Sequence, residues 1–327
     1  MPGIGAQLYQ PPVALINTSN AITQKYFAPL LADSIFRPSP TYWRMTRMGK
    51  KVQGGALVWP VISSEETQGG AYWGVQNLDT STSDSAQPAE LEWKFYYQSI
   101  VIPYTDYILN QGPGQVIDLI KAKEEIAMGS LLQKLSRAIY NTSPNNTTLD
   151  LDDLPTALGS TGTYAGVTLS STFWLSNGLS GPATGGTLSL ANMMLDYGNA
   201  TFGNEEPDTI IGNQRRFNSY WELLTTNQRF MRDEETTRGG FKNHLMFNNA
   251  VFLHDQFTPA GEMYMLTSKY VSPVFHQDDY FTVQPFVMPT NQRVLVSQIF
   301  VALNIRLLTL RQHSRRTGIF VTGEGVV

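Results

Sequence analysis

From Val294 to the end, the chain reads VLVSQIFVALNIRLLTLRQHSRRTGIF before a short tail: one long extended segment followed by a basic strand. Leu295, Ile299, Val301, Leu303, Ile305 and Leu307 are apolar. The facing set Val296, Gln298, Phe300, Ala302, Asn304 and Arg306 mixes polar with apolar. Such alternation predicts a strand with one dry face and one half-wet face. A strand of this length suits a sheet that spans a large, thin body. Its end carries Arg311, His313, Arg315 and Arg316, and no acid lies between Tyr280 and Gly323. That predicts a positively charged surface built into the scaffold, offering Arg311, Arg315 and Arg316 as inner-surface or subunit contacts.

The surface composition points to partners. Charged residues make up 15% of the 327 positions, against 42% apolar and 11% aromatic. A soluble monomer ordinarily carries about a quarter charged residues, so much of this surface is expected to be covered by other molecules. The net charge of −4 is too mild for whole-molecule nucleic-acid binding and leaves only local patches. Cysteine is absent, which excludes disulfides, thiolate metal sites and thiol nucleophiles. Residues 1 to 36 lack a basic start followed by an apolar run, so no secretory leader is expected. No apolar run approaches the ~18 residues of a membrane span. Five Asn-x-Ser/Thr sequons (Asn17, Asn141, Asn145, Asn146, Asn199) are expected by chance in so Asn- and Thr-rich a chain.

Along the chain, residues 1–36 carry Pro2, Pro11, Pro12 and Pro29 among scattered apolar residues, and read as an extended arm lying on something. Arg44, Arg47, Lys50 and Lys51 then crowd together. Two β-rich runs follow, Gly54 to Ser63 and Leu91 to Ile102, the second with Leu91, Trp93, Phe95 and Tyr97 expected on one face. Pro60 marks the first as an edge strand. The long connection between them holds Glu65, Glu66, Asp79, Asp84, Glu90 and Glu92 by its end, no Lys or Arg, and the apolar Tyr72, Trp73, Val75 and Leu78. Connections this long inside a compact domain are usually functional. The pattern predicts a projecting two-stranded arm whose tip, with Glu65, Glu66, Tyr72, Trp73, Asp79, Asp84 and Glu90, docks on another subunit. Arg44, Arg47, Lys50, Lys51, Arg238 and Lys242 are available as basic receivers. Deleting Glu66 to Ala89 is expected to leave a folded subunit that fails to assemble stably with its neighbours.

From about Gly114 to Tyr140, apolar residues recur at steps of three and four behind Pro113, which predicts a helix of roughly 39 Å. Gly129-Ser130 could bend it. Residues 141–186 read as loops and short strands with acids at Asp150, Asp152 and Asp153. Beyond Thr187 come a helix (Leu188 to Phe202), a strand (Asp208 to Gly212), a helix (Asn213 to Thr225) and then alternating strands and turns. Helices and strands mixed in this way make the fold class α+β.

Chemistry is sparse. There is no phosphate loop and no Gly-x-Ser-x-Gly elbow, and no two of the four histidines have zinc-helix spacing. His254-Asp255 resembles a base with its orienting acid, though a satisfied strand-end histidine is the simpler reading. The paired acids read as solvated surface. No catalytic residue, cofactor or metal ligand is assigned, and the balance favours a structural protein over an enzyme.

Arm, acidic hairpin, long helix, mixed second unit and basic closing strand occur in an order that resembles the major capsid protein of tailed bacteriophages, with the Hong Kong 97-type fold. The hairpin Gly54 to Ile102 resembles that family's extended loop, and the helix Gly114 to Tyr140 its spine helix. Asn248 to Tyr270 (NNAVFLHDQFTPAGEMYMLTSKY) is similar to its axial-domain stretch, and Leu307 to Ile319 to its closing strand. The resemblance implies an N-terminal arm at 1–36 and an extended loop at 53–102. It implies a peripheral domain at 37–52, 103–186 and 290–327, with a spine helix at about 114–140, and an axial domain at 187–289. It further implies self-assembly into hexamers and pentamers of an icosahedral shell. The shell would be built in the host cytoplasm, enclose double-stranded DNA by non-specific contact, and reside in the virion. A portal, a decoration protein and a scaffolding protein (separate, given the short arm) are the implied partners, and no membrane is involved. Some relatives form a Lys–Asn isopeptide crosslink; no such pair is assigned here. The alternatives are a bacterial nanocompartment shell of the same fold, a phage tail or baseplate protein, and, from another class, a secreted β-rich carbohydrate-active protein.

Overall fold

The computed structural model describes residues 39–109, 119–142, 149–169, 171, 173–174, 186–225 and 245–320. The N-terminal arm therefore lies outside the described residues, as do the start of the expected spine helix and Arg238 and Lys242. The chain divides into two compact units, each considered in turn. The first contains Tyr96–Leu132 and Phe281–Phe300; the second contains Pro38–Phe95, Gln133–Tyr280 and Val301–Val327.

The expected long strand is present as Val294–Leu307, 14 residues. In the first unit it pairs with the strand Lys94–Pro103 and, antiparallel, with Thr282–Val283, Thr282 standing opposite Phe300 and Val283 opposite Ile299. A further bridge joins Val287 to Val296. Ile100 and Ile102 turn inward while Tyr97 and Val101 turn outward, as the two-residue period of a strand requires. The helix Leu119–Ala138, 20 residues, gives a rod of about 30 Å at 1.5 Å per residue. Ser130 does not break it: its hydroxyl donates to the Ile126 carbonyl at 2.9 Å, one turn back.

In the second unit the long strand continues antiparallel to Val271–His276, which pairs in parallel with Lys50–Val52. The dry face is as expected, with Ile299, Val301, Leu303, Ile305 and Leu307 buried. The other face is dry as well at Ala302 and Asn304. Asn304 is admitted because its polar atoms are used: Nδ2 donates to the Glu92 carbonyl and to Asp152 Oδ2, both at 2.7 Å, and Oδ1 accepts from the Ile305 amide.

A second sheet has the order Ser314–Arg316, Met263–Leu266, Thr209–Gly212, Ala250–His254, Leu245–Phe247. Thr209–Gly212 and Ala250–His254 are parallel; the other pairings are antiparallel. The helices Leu190–Ala200 and Gln214–Thr225 bury Met193, Tyr197, Phe217 and Tyr220 in a core with Ile210, Phe252, Met263 and Met265. Tyr220 stacks on Phe252 at 5.4 Å between ring centroids, and Phe217 meets the same ring edge-on at 5.7 Å. The turn before Met263 needs Gly261: its φ is +83°, and a Cβ there would stand 3.2 Å from the Ile319 carbonyl oxygen.

The basic closing strand is not a charged surface. His313 and Arg316 are buried. Arg316 is paired with Asp196, and Arg315 with Glu262 at 2.6 Å while also donating to the Pro155 carbonyl. Arg311 lies over the Phe202 ring at 4.4 Å. The acids that neutralise this strand come from elements far away in sequence, which is why its local composition misleads.

His313 is fully enclosed, and its Nδ1 accepts from the Thr267 amide at 3.2 Å. Burial pushes its pKa down to about 4. In an unfolded chain the same imidazole titrates near ~6.5. The unfolded state therefore takes up the proton first as pH falls, so the neutral His313 contributes fully above pH ~6.5, loses its contribution on the way down, and has lost it below about 4. The upper bound on that loss is about 3 kcal/mol. His313→Asn keeps an acceptor near Nδ1 and cannot charge. Its unfolding free energy is expected to fall less steeply than the parent's between pH 6.5 and 4.5; parallel curves would refute the assignment.

Candidate functional site

The projecting hairpin is built differently from the sequence expectation. Leu57–Ile62 pairs antiparallel not with Leu91 to Ile102 but with Ala86–Leu91, in register from Leu57 opposite Leu91 to Ile62 opposite Ala86. The polar run AQPAEL hides this strand, and Pro88 argues against it. Yet Pro88 faces Pro60 across the ladder. Ser63 donates its amide to the Ser85 carbonyl at 2.8 Å, which makes 60/88 a non-hydrogen-bonded pair whose missing amides point outward. Both prolines thus blunt the ribbon's edges at no cost to its ladder. Lys94–Pro103 is a separate strand, and the break at Glu92-Trp93 reverses the alternation. Leu91 and Trp93 are buried but Phe95 and Tyr97 are exposed, not on one shared face.

The ribbon's root is held by tryptophans. Leu57, Trp59 and Val61 face inward opposite Leu91, Ala89 and Gln87. Trp59 Nε1 donates to the Leu308 carbonyl at 3.3 Å, and Trp93 Nε1 to the Gly54 carbonyl at 2.8 Å.

Beyond Ile62 and Ala86 the ladder gives way to side-chain bonds. The Glu66 carboxylate accepts from the hydroxyls of Ser83 and Ser85, both at 2.7 Å, closing the neck of the loop. These bonds hold its pKa below the ordinary carboxylate value. Asp79 is likewise turned inward; its carboxylate accepts from the Ser81 amide at 2.9 Å and its pKa is lowered. Residues 69–82 are exposed throughout. Within them Tyr72 is 67% exposed, Trp73 88%, Leu78 62%, and Val75 fully. Leaving four large apolar side chains in water is unfavourable by about 1.5–3 kcal/mol each relative to burial, so a free-standing protein has no use for them.

The expected basic receivers differ in availability. Arg44 is engaged with Ser268 Oγ at 3.3 Å and Asp208 at 3.6 Å. Arg47 is exposed and lies over the Trp43 ring at 4.7 Å. Lys50 and Lys51 are exposed on the strand Lys50–Val52, with Lys51 Nζ over the Tyr280 ring at 3.9 Å. Helix Pro40–Met48, capped by the Ser39 hydroxyl accepting from the Tyr42 amide, positions Arg44 and Arg47. Sequence reasoning missed a second surface, the outward face of the first unit's sheet, because it set Tyr97 on the same face as the buried Leu91.

The residues weighed for catalysis stay apart. Asp255 is buried and accepts from Ser39 Oγ and the Phe257 amide, while His254 is exposed with its ring 5.5 Å from that of Phe217. Among the described residues no group of three or more His, Asp or Glu could hold a metal ion. Among them, too, no helix is long and apolar enough to cross a membrane.

No protein-family model and no curated protein sequence matches the chain. Solved structures do. The capsid of cyanophage A-1(L) superimposes with a TM-score of 0.70 at 16% identity, covering 90% of this chain and 96% of that one. The capsid of an empty GTA particle gives 0.62 at 8% identity over 91% and 97%. The SrpI encapsulin of Synechococcus elongatus PCC 7942 gives 0.57 at 9% identity over 98% and 99%. Likeness over nearly the whole length of each partner, with helices and strands mixed as described, makes this the Hong Kong 97-type capsid fold.

Proposed function

We propose that this chain is the major capsid protein of a tailed bacteriophage, a subunit that self-assembles through hexamers and pentamers into an icosahedral shell around double-stranded DNA. The observation that carries the reading is the projecting loop with Tyr72, Trp73, Val75 and Leu78 in water. On a fold whose solved examples are capsids and an encapsulin, such a loop is a docking element waiting for a neighbour. The role is structural rather than catalytic. The protein would reside in the virion after assembly in the host cytoplasm. A scaffolding protein, a portal and a decoration protein are partners of the kind such a shell requires.

The nanocompartment reading stays open because the SrpI encapsulin is covered end to end. Electron microscopy of the overexpressed, purified chain tests the proposal. Closed shells or capsomer rings are expected; a persistent monomer across the micromolar range would refute it. Shells that enclose a folded protein cargo rather than DNA in the native host would select the nanocompartment.

A further inference from the structure

The projecting ribbon leaves the body beside Gly54 and Gly55, a pair that would ordinarily make a hinge because glycine lets the backbone turn freely. Its root is nevertheless bonded on every side. Trp93 Nε1 takes the Gly54 carbonyl and so ties the ribbon's entry to its exit. Each strand is bonded to the body as well.

Ala86–Leu91 is held along its edge. Pro60 and Pro88 form a non-hydrogen-bonded pair, so Val58 and Glu90, two rungs nearer the root, form another, and their amides point away from the ladder. The Glu90 amide donates to the Ala165 carbonyl at 2.9 Å. Ala165 heads the two-residue turn that joins Thr163–Tyr164 to Val167–Thr168, with φ of +52° there and +76° at Gly166. Asn or Gly ordinarily fills that first position, and alanine is uncommon in it. Here the residue is buried, so an Asn amide would enter a dry site. Backbone strain of this kind persists where the surroundings fix the residue. Tyr164 fixes it: its hydroxyl donates to the Ile305 carbonyl at 2.9 Å and accepts from the Leu307 amide at 3.0 Å.

The same end of the long strand reaches the ribbon twice more. Trp59 Nε1 donates to the Leu308 carbonyl, with the Arg306 guanidinium 5.6 Å from the Trp59 ring. Asn304 Nδ2 donates to the Glu92 carbonyl, just past the ribbon's second strand. Grips on both strands oppose swing and roll alike.

We propose that the ribbon is clamped at its root, and that Tyr164, Ala165 and Asn304 are positioning residues that aim the docking loop before any neighbour arrives. The purpose of the clamp rests on the shell-subunit reading. A ribbon already aimed has less orientational freedom to lose on contact, which strengthens a contact of given area.

Amide exchange of the unmodified full chain, kept below its assembly concentration and resolved to single residues by mass spectrometry, tests the clip directly. After correction for intrinsic rates, Glu90 is expected to exchange about tenfold or more slowly than Val58, the matching outward amide on the opposite edge. Equal rates would overturn it. The absence of cysteine allows a second test, with spin labels at Ile62→Cys and Asn218→Cys, both exposed positions. One narrow distribution of distances is expected. Glu90→Pro deletes the outward amide and leaves the ladder whole, as Pro60 and Pro88 do; combined with Trp59→Phe it is expected to widen the distribution about twofold or more. Glu90→Ala keeps the amide and is expected to leave the width unchanged. A parent as broad as the double variant, or a double variant as narrow as the parent, would overturn the clamp. Should the double variant fail to fold, the exchange ratio decides alone. Either failure leaves the shell reading standing, whereas a persistent monomer with a slow Glu90 amide would refute the shell and keep the clamp.

Discussion

Replacing residues 69–82 by two glycines is expected to yield a folded subunit that no longer closes into stable shells. Every residue removed is exposed, so the subunit loses no core. The ladder from Leu57–Ile62 to Ala86–Leu91 and the Ser63–Ser85 bond that closes it both remain. Shortening the connection to less than half its length relieves closure entropy by about 0.7 kcal/mol. Assembly, by contrast, loses four apolar side chains per subunit, each worth about 1.5–3 kcal/mol when fully buried. Every 1.4 kcal/mol is a factor of about ten in the contact's equilibrium constant, and a closed shell repeats the contact many times. The wider deletion suggested by the sequence alone, Glu66 to Ala89, is a different experiment. It takes away Ala89, which is buried opposite Trp59, and Gln87, opposite Val61, and so uncovers Trp59 and Val61. A failed shell there would report a damaged subunit. Thermal melting by circular dichroism within a few degrees of the parent, together with loss of shells by electron microscopy, is the expected pair of results for the short deletion. Normal shells would show that the tip docks on nothing.

The contrast between those two deletions marks where sequence stops being readable. Strong periodicity carried through: the alternation of Leu303, Ile305 and Leu307 and the three-and-four spacing along Leu119–Ala138 each arise from a single dominant interface, so the pattern survives in one dimension. The elements Leu190–Ala200, Thr209–Gly212 and Gln214–Thr225 were legible as well, each within the sequence bounds expected for it. Ala86–Leu91 was not, because a two-stranded ribbon with one exposed face tolerates Gln, Pro and Glu in strand positions, and nothing local distinguishes it from a loop. The site divided along the same line. Exposed apolar residues at Tyr72, Trp73, Val75 and Leu78 could be suspected from sequence, since such residues seldom fill a polar loop. The fate of a charge could not. Whether Glu66 meets a serine hydroxyl or a partner's lysine, and whether Arg316 meets solvent or Asp196, depends on residues 17 to 120 positions away.

Arg316→Met is expected to destabilise the subunit by about 3–5 kcal/mol, the cost of leaving a buried carboxylate without its cation. Arg316 Nη2 donates to Asp196 Oδ1 at 2.7 Å and to the Asn192 carbonyl at 3.3 Å, and Nε donates to Asp196 Oδ2. The two side chains are 7% and 3% exposed. Through this pair the helix Leu190–Ala200 is fastened to Ser314–Arg316, an end strand of its sheet. Burial already lifts the Asp196 pKa above the ordinary carboxylate range, with Arg316 pulling against it. Removing the guanidinium leaves burial unopposed, so the carboxyl takes up a proton at higher pH in the folded variant than in the unfolded chain. Proton uptake by the folded state makes the variant's deficit largest near neutrality and narrower as pH falls toward about 5. Replacing both partners, Asp196→Leu with Arg316→Met, removes the stranded charge and is expected to recover most of the loss, because a well-packed apolar pair of similar volume often matches a buried ion pair. Urea unfolding of the two single variants and the double variant at pH 7 and 5.5 decides it. A surface arginine reserved for DNA would instead give a stable Arg316→Met subunit, with a double variant no better than the sum of its parts and no dependence of the deficit on pH.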